Sequence, residues 1–518
     1  MRSRMQRAMT LLAATCLPAA APAQVAPDET TLVVGLSADA STFEPAEIRS
    51  MDNSNVARHI FTALTSIDDE GRIVPRLATG WTISDDGTQM VFSLPEGHVC
   101  EDGEPLTAED VAYSWNRAAD PANAFAGNTP GFVYTSMEFA GAEVIDETTV
   151  AINTRSDTGM GLGFTSQVFI HCKDSYEAMT AEEIARSPVS SGEYRLAAWD
   201  VNRQLVLEKW QGEGNFDRIV YRIIPEDSTR IAELLVGNVD IITNVAPDQV
   251  EVIEQSGTAE VQIMQGLRRM YIGFNQDPEF DGIAGEAVRD ENVRRALQYA
   301  VDVPSICRQL LNFECERATG LVNPPNGHPD LEPYPYDPQT AERLLDEAGY
   351  PRGEDGVRFE ITLQSPNGRY VNDASVALAV GAYLTDVGVE TNVDLLEWSS
   401  VYVPLIRAHK AGPIFLLGSG GALWSTIYDM ALLREVESGP NYTNWADPRW
   451  FDRWDDLAAA ASPEEEQRII NEMLQVFYDH GPWLLMYFQP DFYGVSDRIE
   501  WSARRDEHVN LWDARVAD

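Results

Sequence analysis

Apolar positions in this chain follow two periods. Thr31-Leu-Val-Val-Gly-Leu36 is a continuous apolar run, which predicts a strand buried on both faces. Gln89-Met-Val-Phe-Ser-Leu94 alternates, follows the turn Asp85-Asp86-Gly87 and predicts a half-buried strand. A second turn, Glu101-Asp102-Gly103, precedes Pro105-Leu-Thr-Ala-Glu-Asp-Val111. There Thr107 can cap a helix and Asp110, three residues on, can complete a capping box. Residues 144–153 predict one further strand with a turn-like interruption at Asp146-Glu147. Later the period lengthens. Asp290 can cap a helix over 291–300, with Val293, Leu297 and Val301 on one face. Asp337-Pro338 opens a helix through Ala341, Leu344, Leu345 and Ala348, closed by Gly349. Ser462-Pro463-Glu464-Glu465 predicts another helix start, ahead of Ile469, Ile470, Met473 and Leu474. Strands and helices interleave without repeat, heptad or low-complexity linker, so the class is α/β or α+β with several sheets.

Composition narrows this. The chain has 518 residues, 44% hydrophobic and 23% charged, with 12 Trp, 18 Tyr and 18 Phe, enough for two to four domains and for an aromatic-lined pocket. Asp and Glu number 82 against 38 Lys and Arg, a formal charge of −44. So acidic a chain repels phosphate backbones, so nucleic-acid binding is not expected, and anionic membranes are disfavoured too. The charge suits solubility, or a field that attracts cationic ligands. At the start, Arg2, Arg4 and Arg7 precede the short apolar stretch 8–17 and Ala21-Pro22-Ala23. Residues 1–23 therefore read as a cleavable export signal, with the exported mature chain starting at Gln24. Ala13-Ala14-Thr15 ahead of Cys16 fits a lipidation signal poorly. The sequence shows no stretch apolar enough to span a membrane. Export leaves Cys100, Cys172, Cys307 and Cys315 in an oxidising compartment. Cys307–Cys315 is the favoured local bridge, with Cys100–Cys172 the long-range pair; buried free thiols are the alternative.

Catalytic and metal signatures are lacking. There is no G-x-S-x-G elbow, no zincin motif and no CxxC, and the seven histidines do not cluster. Gly159-Met-Gly161-Leu-Gly163 misplaces the third glycine of a dinucleotide loop, and Gly418-Ser-Gly420-Gly421 lacks the Lys of a P-loop. No metal or cofactor is expected. The adjacent acids Asp68-Asp69 and Asp455-Asp456 could serve a secreted hydrolase with paired carboxylates, a distant alternative among so many acids.

One stretch is more specific. Residues 64–81 read Leu-Thr-Ser-Ile-Asp-Asp-Glu-Gly-Arg-Ile-Val-Pro-Arg-Leu-Ala-Thr-Gly-Trp; then follow Ser-Asp-Asp-Gly-Thr at 84–88, Glu-Asp-Gly-Glu-Pro-Leu-Thr-Ala-Glu-Asp-Val at 101–111 and Trp-Asn-Arg at 115–117. Further blocks are Ser190-Ser-Gly-Glu-Tyr-Arg195, Gly273-Phe-Asn275, 293–302 and 336–350. Together these resemble the solute-binding proteins of the peptide/nickel (dipeptide and oligopeptide, family 5) ABC importers, over nearly the whole mature chain. The chain departs from the family at Cys100, where an aromatic or apolar residue is usual. It departs again at 417–429, where Trp424 comes late and the first acid after the glycines is Asp429.

The resemblance implies a two-lobe periplasmic binding protein fold (class II-like, cluster C), α/β, with three discontinuous domains of mixed β-sheets flanked by helices. Domain I would comprise 24–56, 187–266 and 488–518, domain II 57–186 and domain III 267–487, with the chain crossing between lobes near 266 and 487. No reaction is implied. A short peptide or peptide-like solute such as glutathione would be enclosed between lobes by a hinge motion and delivered to ABC importer permease subunits in the inner membrane. A monomer is expected. An oligosaccharide, an opine-type compound or chelated nickel is the alternative within the family. A peptide needs a carboxylate for its amine, an Arg for its carboxylate and aromatic walls. Asp429 is the candidate acid, Arg268 and Arg269, just ahead of a strand at 270–275, the candidate bases, and Trp398, Tyr402 and Trp424 the candidate walls. Phe43, Asn53 and Asn55, in a loop after the first strand, are the expected contacts from the other lobe.

Overall fold

The computed structural model describes residues 26–156, 159–212, 214–323, 326–420, 425–434, 440–460 and 462–517. The expected export signal and Trp424 lie outside them.

A ten-stranded mixed sheet runs through the molecule. Its spatial order is Val389–Leu396, Phe359–Pro366, Ile414–Ser419, Ala259–Phe274, Trp483–Ser496, Ile241–Ile242, Thr31–Leu36, Arg218–Ile223, Gln204–Lys209 and Tyr194–Asp200. Thr31–Leu36 lies between two parallel neighbours and is buried at every position, as its unbroken apolar run requires. A separate four-stranded sheet joins Gly80–Ile83, Gln89–Ser93, Thr149–Thr154 and Phe139–Asp146. The single strand expected over 144–153 is therefore two. Asp146 Oδ1 accepts from the Thr148 N–H at 3.0 Å, and this Asx turn folds the chain into an antiparallel hairpin.

The capping chemistry appears where local sequence placed it. Thr107 and Asp110 form a reciprocal capping box on helix Ala108–Ala119. Asp290 caps Glu291–Ala300, and Asp337 caps Pro338–Glu347, past which Gly349 takes φ +92°. Ser462 Oγ accepts from Glu465 N at 3.3 Å at the head of Pro463–His480. Both expected cysteine pairs stand at disulfide distance, with Cα–Cα separations of 6.3 Å for Cys100–Cys172 and 5.8 Å for Cys307–Cys315.

Buried side chains divide into separate cores. The largest draws every buried member from 270–488. Another fills the small sheet and its helices, and two more flank the half of the large sheet around Thr31–Leu36. The longest strands, Ala259–Phe274 and Trp483–Ser496, pass from one core to the next, from Ala259 and Phe492 to Met270 and Phe488. Their antiparallel register is regular from Ala259↔Ser496 to Gln265↔Pro490, then shifts so that Arg269 faces Phe488. Residues 266–268 thus bulge where Pro490, lacking an N–H, interrupts the ladder. Gly266 is needed there: a Cβ would stand 2.6 Å from Asp491 Oδ2 and 2.7 Å from the Gln489 carbonyl oxygen.

Candidate functional site

The bulge brings side chains of the 270–488 half of the large sheet together with the C-terminal segment. Arg268 and Arg269 do not precede their strand but lie within it, and neighbouring strand positions point to opposite faces. Arg268 forks onto Glu507, with Nε–Oε1 and Nη2–Oε2 both 2.8 Å. Burial opposes its charge, yet Glu507 and other nearby acids push its pKa up. Across the sheet, Gly418 leaves room for this arrangement: a Cβ would meet Met270 Sδ at 2.8 Å, the Tyr370 ring at 2.9 Å and Arg268 Cδ at 3.0 Å.

Arg269 faces the other way and is buried, with side-chain exposure of 1%, as is its partner Asp429. Arg269 Nη2 donates to Asp429 Oδ1 at 2.8 Å, while Asp429 Oδ2 accepts from the Asn323 N–H at 3.0 Å. Burial pushes the Asp429 carboxyl up, with Arg269 and Asn323 pulling against it. The expected acid and one expected base thus satisfy each other, so Asp429 is not presented to a ligand amine in this conformation. Its neighbour Tyr428 packs with Phe132 and Phe164 from the small-sheet core, at 5.9 Å from each ring centroid, so that core touches the 270–488 region beside the pair.

The candidate walls differ. Trp398 is half-buried and meets Tyr370 at 6.0 Å and Tyr402 at 5.9 Å, with the exposed Arg369 over its ring at 5.5 Å. Tyr402 is fully buried and its hydroxyl donates to the Leu416 carbonyl at 2.5 Å, so it supports Trp398 from behind. Phe43 is a core residue, edge-on to Trp199 at 5.1 Å. Asn53 and Asn55 lie not in a loop but in helix Met51–Ile60, because Ser50 caps it by accepting from the Asn53 N–H at 3.3 Å. The Asn53 amide holds Ser41 and Thr42, and Asn55 holds the Glu507 carbonyl and the Val509 N–H. Asn55 therefore positions the chain bearing Glu507 rather than offering its amide to a solute.

Local sequence missed Asp52, Arg369, Tyr370, Asp491, Tyr493 and Glu507. Asp52 projects from the helix that holds Asn53 and Asn55; burial raises its carboxyl pKa, and Arg369 partly offsets this. Asp491 follows Pro490 at the bulge. Its Oδ1 accepts from Gln489 Nε2 at 3.3 Å, and burial and Glu507 push its pKa well up. A glycine at 266 and a proline at 490, near the anticipated crossings, are the signal the sequence offers. The adjacent acids of the hydrolase reading are structural: Asp68 closes a turn with Arg72, Asp456 pairs with Arg453, and Asp69 pairs with the distant Arg504. Among the described residues, no three His, Cys, Asp or Glu side chains gather to hold a metal ion, and no helix is long and apolar enough to cross a membrane.

Comparison with known proteins places this geometry. The family model for bacterial extracellular solute-binding proteins, family 5 middle, matches residues 72–437. The glutathione-binding protein GsiB of Escherichia coli strain K12 is 25% identical over 476 residues, covering 88% of each chain. Among solved structures, the periplasmic binding protein DppA of Helicobacter pylori, in complex with the peptide STSA, matches with a TM-score of 0.76 at 19% identity, over 94% of this chain and 98% of that one. NikZ of Campylobacter jejuni, in complex with Ni(L-His), matches with a TM-score of 0.78 at 20% identity, over 94% and 99%. These structures share the two-lobe fold. The chain belongs to the bacterial extracellular solute-binding proteins of family 5, the solute-binding components of ABC importers.

Proposed function

We propose that this protein captures a short peptide or peptide-like solute between its lobes in the periplasm and delivers it, unaltered, to the permease of an ABC importer. The observation that carries this reading is the bulge at 266–268. There two strands alone link the core of 270–488 to the rest of the large sheet, and charged and aromatic side chains from both lobes converge beside it. Residues 267–487 form one lobe. The other is domain I (24–56, 187–266, 488–518) together with domain II (57–186), and closure is a rotation about the crossings. Residues 1–23 are removed on export, and the protein works as a monomer without catalysis. GsiB and DppA, named for or solved with peptides, support a peptide-like ligand. A non-peptide solute, such as an opine-type compound, an oligosaccharide or chelated nickel, is the second reading. The engagement of Asp429 by Arg269 favours it, since a peptide amine would have to displace a buried pair. Mass spectrometry of the solute co-purified from the native host, with X-ray scattering before and after its removal, tests both. A peptide-like mass and a radius of gyration that falls on rebinding are expected. A scattering profile indifferent to the solute would refute lobe closure.

A further inference from the structure

Resting on that reading, we infer that Tyr428 is a latch between the lobes: its ring, carried by the lobe of 267–487, seats on Phe132 and Phe164 of the opposite lobe and holds the solute-free protein shut. The helix that carries it, Thr426–Ala431, is capped by Ser425, whose side chain accepts from the Tyr428 N–H at 3.3 Å. Two cores share this helix. Met430, with Leu432 and Leu433 just past the helix end, belongs to the core of 270–488. Tyr428, 5% exposed, belongs to the core of the small sheet. Among the described residues, every other buried member of that core falls between Ala46 and Cys172. Tyr428 therefore reaches out of its own half of the chain and is buried in the other. Ile427 packs against both cores.

The contact is a cluster of three rings. Tyr428 stands edge-on to Phe132 at 82° and to Phe164 at 71°, and the two phenylalanines meet edge-on at 5.8 Å. Edge-to-face packing is the geometry such rings prefer. Beside the cluster, Gly159 backs onto Ile427, where a Cβ would lie 3.5 Å from Cγ1, and Arg434 Nη1 stands 3.9 Å from Glu138 Oε1. The two faces of the helix are held unequally. Pulling it from the core of 270–488 would break the buried Arg269–Asp429 pair and take the acceptor from the Asn323 N–H. Pulling Tyr428 from the phenylalanines separates rings and one long, part-exposed ion pair, and strands no buried charge. Opening thus runs along the Tyr428 face, with the helix staying beside Arg269. Ring contacts are individually weak, so thermal motion releases the latch and a solute that touches both lobes resets it. Because solute enters only the open form, the latch slows entry and lengthens retention.

The test is X-ray scattering on the whole protein, stripped of solute by unfolding in urea and refolding with its disulfides intact. Wild type, Tyr428→Phe, Tyr428→Ala and Phe132→Ala are compared. Wild type and Tyr428→Phe, which keeps the ring, should both show the radius of gyration of a compact chain of this length, about 23 Å, and Tyr428→Ala one about 1 Å larger. Phe132→Ala should expand the protein as far from the opposite side, and the double variant no further, since both changes remove one contact. Unchanged far-ultraviolet circular dichroism separates opening from unfolding; if Tyr428→Ala does not refold, Phe132→Ala decides alone. A merely structural role would lower the melting temperature and leave the radius unchanged. Equal radii for wild type and the two alanine variants, or an equal expansion in Tyr428→Phe, overturn the latch and leave solute capture standing. Failure of capture reads differently: the wild type would carry no solute from its native host, and the latch would fall with it.

Discussion

Replacing Asp429 by Asn tests whether the Arg269–Asp429 pair is an internal brace. The carboxylate and the guanidinium are each 1% exposed, 2.8 Å apart, and Arg269 Nε already lacks a partner. Gly420 closes over the guanidinium, where a Cβ would lie 2.6 Å from Nη2, so water has little room to take the place of the lost charge. Asn keeps an acceptor for the Asn323 N–H and removes only the charge. Arg269 would then be left with one long hydrogen bond, 3.4 Å to Asn323 Oδ1. An uncompensated buried charge costs about 3–5 kcal/mol, and Arg269→Met should lose a similar amount for the converse reason. Removing both charges, as in Asp429→Asn with Arg269→Met, should cost clearly less than the two single losses together, since neither charge is then left uncompensated. Urea unfolding of the four proteins, followed by tryptophan fluorescence and circular dichroism, gives the cycle. Single changes that each cost under about 1 kcal/mol, or losses that simply add within about 0.5 kcal/mol, would refute the brace.

Three further outcomes follow from the structure. Removing the Cys100–Cys172 bridge, which closes 72 residues, should cost about 4.4 kcal/mol of chain entropy, against about 2.5 kcal/mol for Cys307–Cys315, which closes 8; melting of the two double-serine variants checks the order. His59 and His171 are buried, and burial lowers each pKa from 6.5 to about 3. The folded protein therefore holds them neutral, so their contribution is complete above pH 6.5 and falls by about 1.4 kcal/mol per pH unit for each histidine as pH drops toward 3. His171→Leu should halve this part of the acid sensitivity, read as the change in urea midpoint between pH 7 and pH 4.5; an unchanged dependence would exclude His171 as a source. Gly266→Ala should destabilise by about 1–3 kcal/mol through contact with Asp491 and Gln489, whereas alanine at Gly80, where a Cβ meets nothing within 4 Å, should be tolerated.

Local chemistry made parts of the fold legible. Thr107 with Asp110, Asp290, Asp337 with Gly349, and Ser462 each set an element boundary through contacts within a few residues, so the chain carries them in plain order. The hairpin at Asp146 was half-visible: the turn was there, but the apolar alternation continues past it on the returning strand. Site residues were harder, because their partners are remote. Arg268 and Arg269 are adjacent in sequence yet meet acids 239 and 160 residues away, on opposite faces of one strand. Nothing near Phe43, Asn53 or Asn55 tells that they pack or clip loops. Glu507 gains its place only when Asn55, on a helix from the start of the chain, and Arg268, on a strand from its middle, come to it together.

One sheet continuing through both lobes has a mechanical consequence. Since the linkage consists of strands rather than coil, the proposed closure would turn the lobes by torsion of the ribbon at Gly266–Arg268 and Gln489–Pro490, where the register shifts, with the ladders on either side intact. Such a joint loses few hydrogen bonds when it moves and resists sideways splay. The same few residues carry Arg268, so its fork onto Glu507 ties the C-terminal segment directly to the axle.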